Sequence, residues 1–257
     1  MIRMHALTRH FGGLRAVDGV SLTIGEGTIT GVIGPNGAGK TTLFNIIAGM
    51  VAPTSGEVWL HDENITGLPP HELFHRGLLR TFQIAQEFSR LTVRENLMMV
   101  PGNQSGENLV KVWLQPSRVR YEEEEIARKA SEVIEFLALD EVADELAGNL
   151  SGGQKKLLEL GRTMMVDARV VLLDEVGAGV NRTLLRSIGD AIVRLNRERG
   201  YTFCMIEHDM DFVSRLCDPV VVMAEGRVLT TGSARAVTSD PRVIEAYLGR
   251  RGARGVS

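Results

Sequence analysis

The 257-residue sequence predicts an α/β fold with a strand-rich start and a helical insertion. Three observations predict it. After residue 170, short apolar runs alternate with amphipathic helical stretches, the pattern of parallel βαβ units. Residues from about Thr92 to Met165 show helical periodicity and few strand signals. Near the start, a glycine-rich turn at Gly34 lies between an apolar run and a helical one.

The elements follow in order. Residues 1–33 read as short strands joined by turns. Val20–Ile24 alternates apolar and polar as a half-buried strand does, Gly25–Gly27 is a turn, and Thr28–Ile33 is a buried strand. Thr41–Ala48 reads as a helix stopped by Gly49, Pro53–Gly56 as a turn and Glu57–Leu60 as a strand. Pro101–Gly106 is a loop. Tyr121–Leu139 is the clearest helix, with Ile126, Ala130, Val133, Ile134 and Leu137 on one face. Its acidic run Glu122–Glu125 is expected in the first turn, where the helix dipole favours anions. A further helix is expected over Lys155–Met165. Then come a strand at Val170–Leu173, a helix at Leu184–Arg197, a strand at Tyr201–Ile206, a helix at Asp209–Leu216 and a strand at Pro219–Ala224. The basic, glycine-rich stretch Gly249–Ser257 reads as a frayed tail.

Composition narrows the class. Hydrophobic residues make up 44% and charged residues 24%, which fits a globular chain and excludes disorder as the main state. With 29 basic and 32 acidic residues the net charge is -3, without the basic footprint of a nucleic-acid binder. Cys204 and Cys217 make no disulfide framework and fit no zinc spacing, which suits a reducing compartment. Met1–Thr8 has no signal-peptide core, and runs such as Val220–Ala224 are far short of the ~20 residues a bilayer span needs. The expectation is a chain neither secreted nor membrane-spanning. Glycine, at 28 residues, exceeds ordinary usage, and many glycines sit beside Lys, Ser or Gln rather than in linkers.

Those glycines lead to the chemistry. Gly34-Pro-Asn-Gly-Ala-Gly-Lys40-Thr41 fits G-x-x-x-x-G-K-[ST] in full, with a strand before it and a helix after. Small residues let backbone N–H groups turn inward around phosphates, and the helix start adds its positive dipole end. Lys40 is expected on the β and γ phosphates and the Thr41 hydroxyl on Mg²⁺. The apolar run Val170–Leu173 ends in Asp174-Glu175. Asp174 is placed to hold Mg²⁺, and Glu175 to polarise a water as general base. Leu150-Ser151-Gly152-Gly153-Gln154 precedes a helix. Ser151 read alone is a plain N-cap. The paired glycines add a second reading, a backbone open to an anion at a helix start. One nucleotide hardly needs two such starts from one chain, which points to a site shared between two subunits.

These segments, with Glu207-His208-Asp209, resemble in order and spacing the nucleotide-binding subunit of an ABC transporter, over Leu7 to about Leu248. The resemblance implies a P-loop ATPase core, a mostly parallel sheet with helices on both faces, joined by an N-terminal antiparallel β part and an inserted α-helical subdomain. It sets the core at 1–89 and 163–248, the helical signature insert at 90–162 and a flexible tail at 249–257, within one ABC-type ATPase domain. It implies nucleotide binding by Phe11, stacked on adenine, and by Gly34, Pro35, Asn36, Gly37, Ala38, Gly39, Lys40, Thr41 and Thr42. Mg²⁺ falls to Thr41, Gln83 and Asp174. Catalysis falls to Glu175 and to His208 on the γ-phosphate. Ser151, Gly152, Gly153 and Gln154 act in trans on a second subunit's ATP.

Within that family, Arg80-Thr-Phe-Gln83, Leu91-Thr-Val-Arg-Glu-Asn96, Ala178–Asn181 and Ile206–Met210 resemble the ATPases of branched-chain and hydrophobic amino acid importers. The implied partners are a second ATPase, identical or a paralogue, two membrane permeases and, indirectly, a periplasmic or extracellular binding protein, with no nucleic acid. The implied place is the cytoplasmic face of the inner (plasma) membrane. Two positions depart from the usual pattern: Val176 stands where Pro is common after the catalytic Glu, and Asn181 where Asp is common.

Other readings stay open at this stage. Urea and amide importers belong to the same branch. A soluble ABC ATPase of DNA repair or ribosome function would need a long coiled coil or tandem cassettes, and only 67 residues separate Gln83 from Ser151. A GTPase would need an Asn-Lys-x-Asp segment, which the sequence lacks.

Overall fold

The computed structural model describes residues 1–81, 87–102, 104, 113–166 and 168–252, with side chains as far as 247. The chain divides into two compact units. The first comprises Met1–Gln83, Ala168–Ala178 and Ile192–Ser257, and the second Ile84–Asp167 and Gly179–Ala191.

The first unit contains two sheets. Strands β1 (Ile2–Phe11), β2 (Leu14–Ile24), β4 (Ser55–Leu60) and β5 (Glu63–Asn64) form an antiparallel sheet in the order β2-β1-β4-β5. The half-buried Val20–Ile24 is the end of the longer β2. The second sheet takes the order β10-β9-β3-β8-β7-β6, from β3 (Ile29–Ile33), β6 (Leu78–Arg80), β7 (Val170–Asp174), β8 (Thr202–Ile206), β9 (Val220–Ala224) and β10 (Arg227–Gly232). Every pairing there is parallel except β9 with β10 at the edge. The central strands β3, β7 and β8 are buried along their whole length, which is why they read as continuous apolar runs. Helices α1 (Lys40–Ile47) and α2 (Pro70–His75) follow β3 and β5. Leu7, Val20 and Ile24 of the antiparallel sheet, Phe44 and Ile47 of α1, and Leu172, Ile206 and Val221 of the parallel sheet share one buried cluster. Each such side chain contributes about 1.5–3 kcal/mol by leaving water. Cys204 and Cys217 are free and buried, and burial pushes the Cys217 thiol up to about 12.

The second unit is helical: α3 (Val93–Met98), α4 (Pro116–Phe136) and α5 (Gly152–Met164). A side chain at Gly161 would reach Leu137, Val133 and Leu97, so this glycine sets how closely the three segments approach. Asn96 is buried, and its amide donates to the carbonyls of Phe88, Leu91 and Thr92. That fixes the turn into α3, whose start is closed by a Thr92–Glu95 capping box.

Several boundaries differ from the sequence reading; α5, for one, begins at Gly152 rather than Lys155. α4 begins at Pro116, so the acidic run lies beyond the first turn. Glu122 there pairs with Arg118, and Arg128 with Glu125 and Glu132, so the two ends of the run are stabilised by neighbouring arginines rather than by the helix dipole. α6 runs Arg182–Arg199, counted with the second unit as far as Ala191. After α7 (Met210–Leu216), two helices unread in the sequence follow β10. These are α8 (Ala234–Thr238) and α9 (Pro241–Gly252), the latter entering the stretch read as a tail.

Candidate functional site

Strand order builds the site. β3, β8 and β7 are adjacent and parallel, so the residues after their carboxyl ends emerge side by side: Gly34, Glu207-His208 and Glu175. Such strand ends are where open α/β sheets place ligands.

The loop after β3 folds only with glycine at its turning points. Gly34 has φ 148°, and a Cβ there would lie 2.1 Å from the Met223 carbonyl oxygen. Gly39 has φ 95°, and its Cβ would meet the Ala16 carbonyl oxygen at 2.2 Å. Gly39 is also the N-cap of α1, with no side-chain cap and no acid in the first turn. The amides at this helix start are therefore left to an external anion. Lys40 is only 6% exposed. Its Nζ donates to the carbonyls of Gly34 at 2.7 Å and Pro35 at 3.2 Å. Burial pulls its pKa down, and Glu175 and Asp174 pull it back up. A cavity of about 240 Å³ opens here, lined by Asn36 through Thr42 with Glu175 and His208.

Glu175 has φ 51°, the left-handed region that a non-glycine residue occupies only under constraint. Its N–H donates to the Ile206 carbonyl of β8, and its carbonyl accepts from Ala178, closing a turn. His208 Nε2 lies 2.9 Å from Glu175 Oε1. Glu207 is buried and accepts from the N–H groups of Gly177 and His208. Burial raises its pKa despite those bonds. It thereby ties the turn after Glu175 to the end of β8, and Val176 packs buried within that turn without a proline.

The structure thus brings together Asn36–Thr42, Asp174, Glu175 and His208. Phe11 ends β1 at 46% exposure, with the Arg9 guanidinium 4.7 Å from its ring centre. Gln83 lies outside the described residues. Ser151–Gln154 belongs to the second unit. There Ser151 caps α5 in a closed box. Its Oγ accepts from the Gln154 N–H, and Gln154 Oε1 accepts from the Ser151 N–H and O–H. Of the two glycines, Gly152 is exposed, whereas a Cβ at Gly153 would fall 2.5 Å from Leu184 Cδ1. Packing accounts for Gly153. Asn181 Oδ1 accepts from the Leu184 N–H at 2.9 Å, doing for α6 what an Asp cap would do.

Sequence reasoning missed three residues. Glu207 stands in the sequence reading only as a neighbour of His208, although a carboxylate ending a fully apolar strand is itself a signal of a buried acid. Tyr247 of α9 receives a hydrogen bond from the Gly34 backbone, and no local pattern reveals that contact. Arg80, at the end of β6, donates from Nη2 to Asp174 Oδ2 at 2.6 Å. Its partner is distant in sequence, so spacing could not find it.

Among the described residues no group of three or more His, Cys, Asp or Glu is placed to hold a metal ion. A hydroxyl at Thr41 and one carboxylate at Asp174 suit Mg²⁺, which keeps few protein ligands and takes its remaining oxygens from phosphates and water. The donor set therefore fits a nucleotide-borne Mg²⁺.

A family model described as ABC transporter matches residues 17–178. The chain belongs to the ABC transporter family. As a member it binds nucleotide and hydrolyses ATP as a transport ATPase. A second model, Branched-chain amino acid ATP-binding cassette transporter, matches residues 227–253. The chain is 41% identical over 252 residues to a probable branched-chain amino acid transport ATP-binding protein of Archaeoglobus fulgidus, covering 97% of this chain and 95% of that one. It is 38% identical to a high-affinity branched-chain amino acid transport ATP-binding protein of Pseudomonas aeruginosa, covering 97% and 98%. Among solved structures it resembles a nucleotide-free ATP-binding cassette from an ABC transporter, with TM-score 0.83 and 37% identity over 96% of this chain and 98% of that one. The ADP conformation of an ATP-binding cassette matches equally, at TM-score 0.83 and 37% identity over 97% and 98%. Among the described residues no helix is long and apolar enough to cross a membrane.

Proposed function

We propose that this chain powers uptake of branched-chain or other hydrophobic amino acids, as one of a pair of ATPases beneath two permeases on the cytoplasmic face of the membrane, the cargo being delivered by an external binding protein. One observation carries the chemistry: Lys40, Glu175 and His208 meet the start of α1 around one cavity. ATP binds there through Gly34–Thr42, with Phe11 against the base. Thr41, Asp174 and Gln83 would hold Mg²⁺, which when bound neutralises phosphate charge. Glu175 polarises the attacking water. His208, already within hydrogen-bond distance of Glu175, orients that carboxylate and stabilises the departing γ-phosphate. The Ser151–Gln154 turn of a second subunit closes over the γ-phosphate. The cargo reading rests on the C-terminal match at 227–253 together with the named relatives.

The test is reconstitution with the neighbouring permeases and binding protein in vesicles. ATP turnover stimulated by leucine- or valine-loaded binding protein is expected. Stimulation by urea or a short amide, and none by leucine or valine, would replace the cargo.

A further inference from the structure

Arg80 and Asp174 form a nearly dry ion pair, with side chains 12% and 5% exposed. The guanidinium is held from both sides. Nη2 donates to Asp174, while Nη1 donates to Asn45 Oδ1 on α1 and lies 3.2 Å from Met50 Sδ. Its Nε is buried with no partner among the described residues. Arg80 itself sits at the end of β6, opposite Leu172 of β7.

Asp174 is the carboxylate assigned above to Mg²⁺, and the present inference rests on that assignment. A buried carboxylate needs a compensating charge at all times. Lys40 acts on Asp174 only through space, two of its three N–H donors going to the Gly34 and Pro35 carbonyls, whereas Arg80 bonds the carboxylate directly. A guanidinium and a divalent cation on one carboxylate repel each other. We propose that Arg80 is a tethered stand-in cation. It occupies Asp174 when no metal is bound, and Mg²⁺ must compete with it for that carboxylate. Asn45 gives the guanidinium a partner to keep when Asp174 turns to the metal, so the exchange needs no large movement. Arg80 is then a positioning residue that holds Asp174 ready and makes metal binding weaker and more reversible than a bare carboxylate would.

The test is the affinity for a fluorescent ADP analogue with and without Mg²⁺, on wild type, Arg80→Gln and Arg80→Lys, all purified with Mg²⁺ and ADP and then exchanged. The quantity read is the ratio of the two affinities. Loss of the competing charge should raise the ratio about threefold or more in Arg80→Gln. Arg80→Lys, which keeps the charge but loses the two-armed fork, should raise the ratio less than Arg80→Gln does. A merely structural arginine would weaken both affinities alike, and an unchanged or lowered ratio in Arg80→Gln overturns the proposal. Wild type offers a second reading that no misfolded variant can spoil. The Arg80 Nε–H NMR signal, identified by its loss in Arg80→Lys, should shift when Mg²⁺ is added to the ADP-bound chain, and no shift overturns the proposal. If wild type binds nucleotide with no Mg²⁺ effect at all, the metal assignment of Asp174 falls as well. If it shows a normal effect and only the Arg80 results fail, this inference alone falls.

Discussion

Glu175 and Glu207 follow the ends of the adjacent strands β7 and β8 yet answer opposite demands. Glu175 faces the cavity and keeps a left-handed backbone that its carboxylate does not require, a strain characteristic of a functional position. Replacing Glu175 with Gln preserves shape but removes the proton acceptor. Turnover in the assembled transporter should fall by at least about 10²-fold, the lower range for a general base, while ATP affinity holds. Single-turnover hydrolysis checks this, and a rate within a few-fold of wild type would remove Glu175 from catalysis. Glu207 instead faces inward, where burial raises its pKa above the ordinary carboxylate value. A raised folded pKa makes its contribution fully present below the unfolded value and lost as pH rises through the folded one. Glu207→Gln keeps an acceptor for the Gly177 N–H and cannot ionise. Its melting temperature relative to wild type should therefore climb as pH rises from about 4 to neutral. Thermal melts of both proteins across that range decide it, and a difference that shrinks with pH would contradict the sign.

At the scale of elements, the legible parts were those whose burial is uniform or strictly periodic. β3, β7 and β8 are buried on both faces and therefore appear as apolar runs of strand length. α7 announces itself through its Asp209 cap. β6, at three residues, is too short to show any period, and it carries Arg80. β10 is a partly exposed edge strand of mixed character, and its helical sequel shows no clean face. The start of α4 was missed although Pro116, a favoured opening residue, marks it. The glycine pair before α5 is the instructive case, because the sequence offered cap and anion readings while the structure adds packing. If Gly153 served only to expose backbone, Ala there would gain up to ~1 kcal/mol of helix propensity. Since its Cβ would meet Leu184 Cδ1 at 2.5 Å and Leu184 Cβ at 2.7 Å, Gly153→Ala should destabilise the chain instead. The expected loss is about 1–3 kcal/mol. Urea unfolding measures the sign, and adding Leu184→Ala should return part of the loss.

At the scale of the whole molecule, the chain carries two helix starts suited to one phosphate chain, and they differ in readiness. The start of α1 has no side-chain cap and opens onto the cavity, so it can take nucleotide alone. The start of α5 is already satisfied by its own Ser151–Gln154 box, and only exposed Gly152 and the Ser151 side chain face outward. Such an element gains little by seeking an anion unaided, and the proposed reading gives it a second subunit's anion to meet. If two copies share sites symmetrically, each site needs Lys40 from one copy and Ser151 from the other. Ser151→Arg should then leave ATP binding by the isolated chain within about twofold, because charge-assisted phosphate contacts remain with Lys40. Its lost cap should lower stability by about 1 kcal/mol. Lys40→Ala should lose ATP binding. Each variant alone should be inactive, since every pair formed from it lacks one half of both sites. An equal mixture should regain a fraction of wild-type turnover, because a mixed pair contains one site with Lys40 and Ser151 both intact. Turnover assayed on the separate and mixed proteins is the measurement. Recovery only in the mixture is the signature of action across two copies, and a mixture as inactive as its components would place Lys40 and Ser151 at work within one chain or require a different partner ATPase.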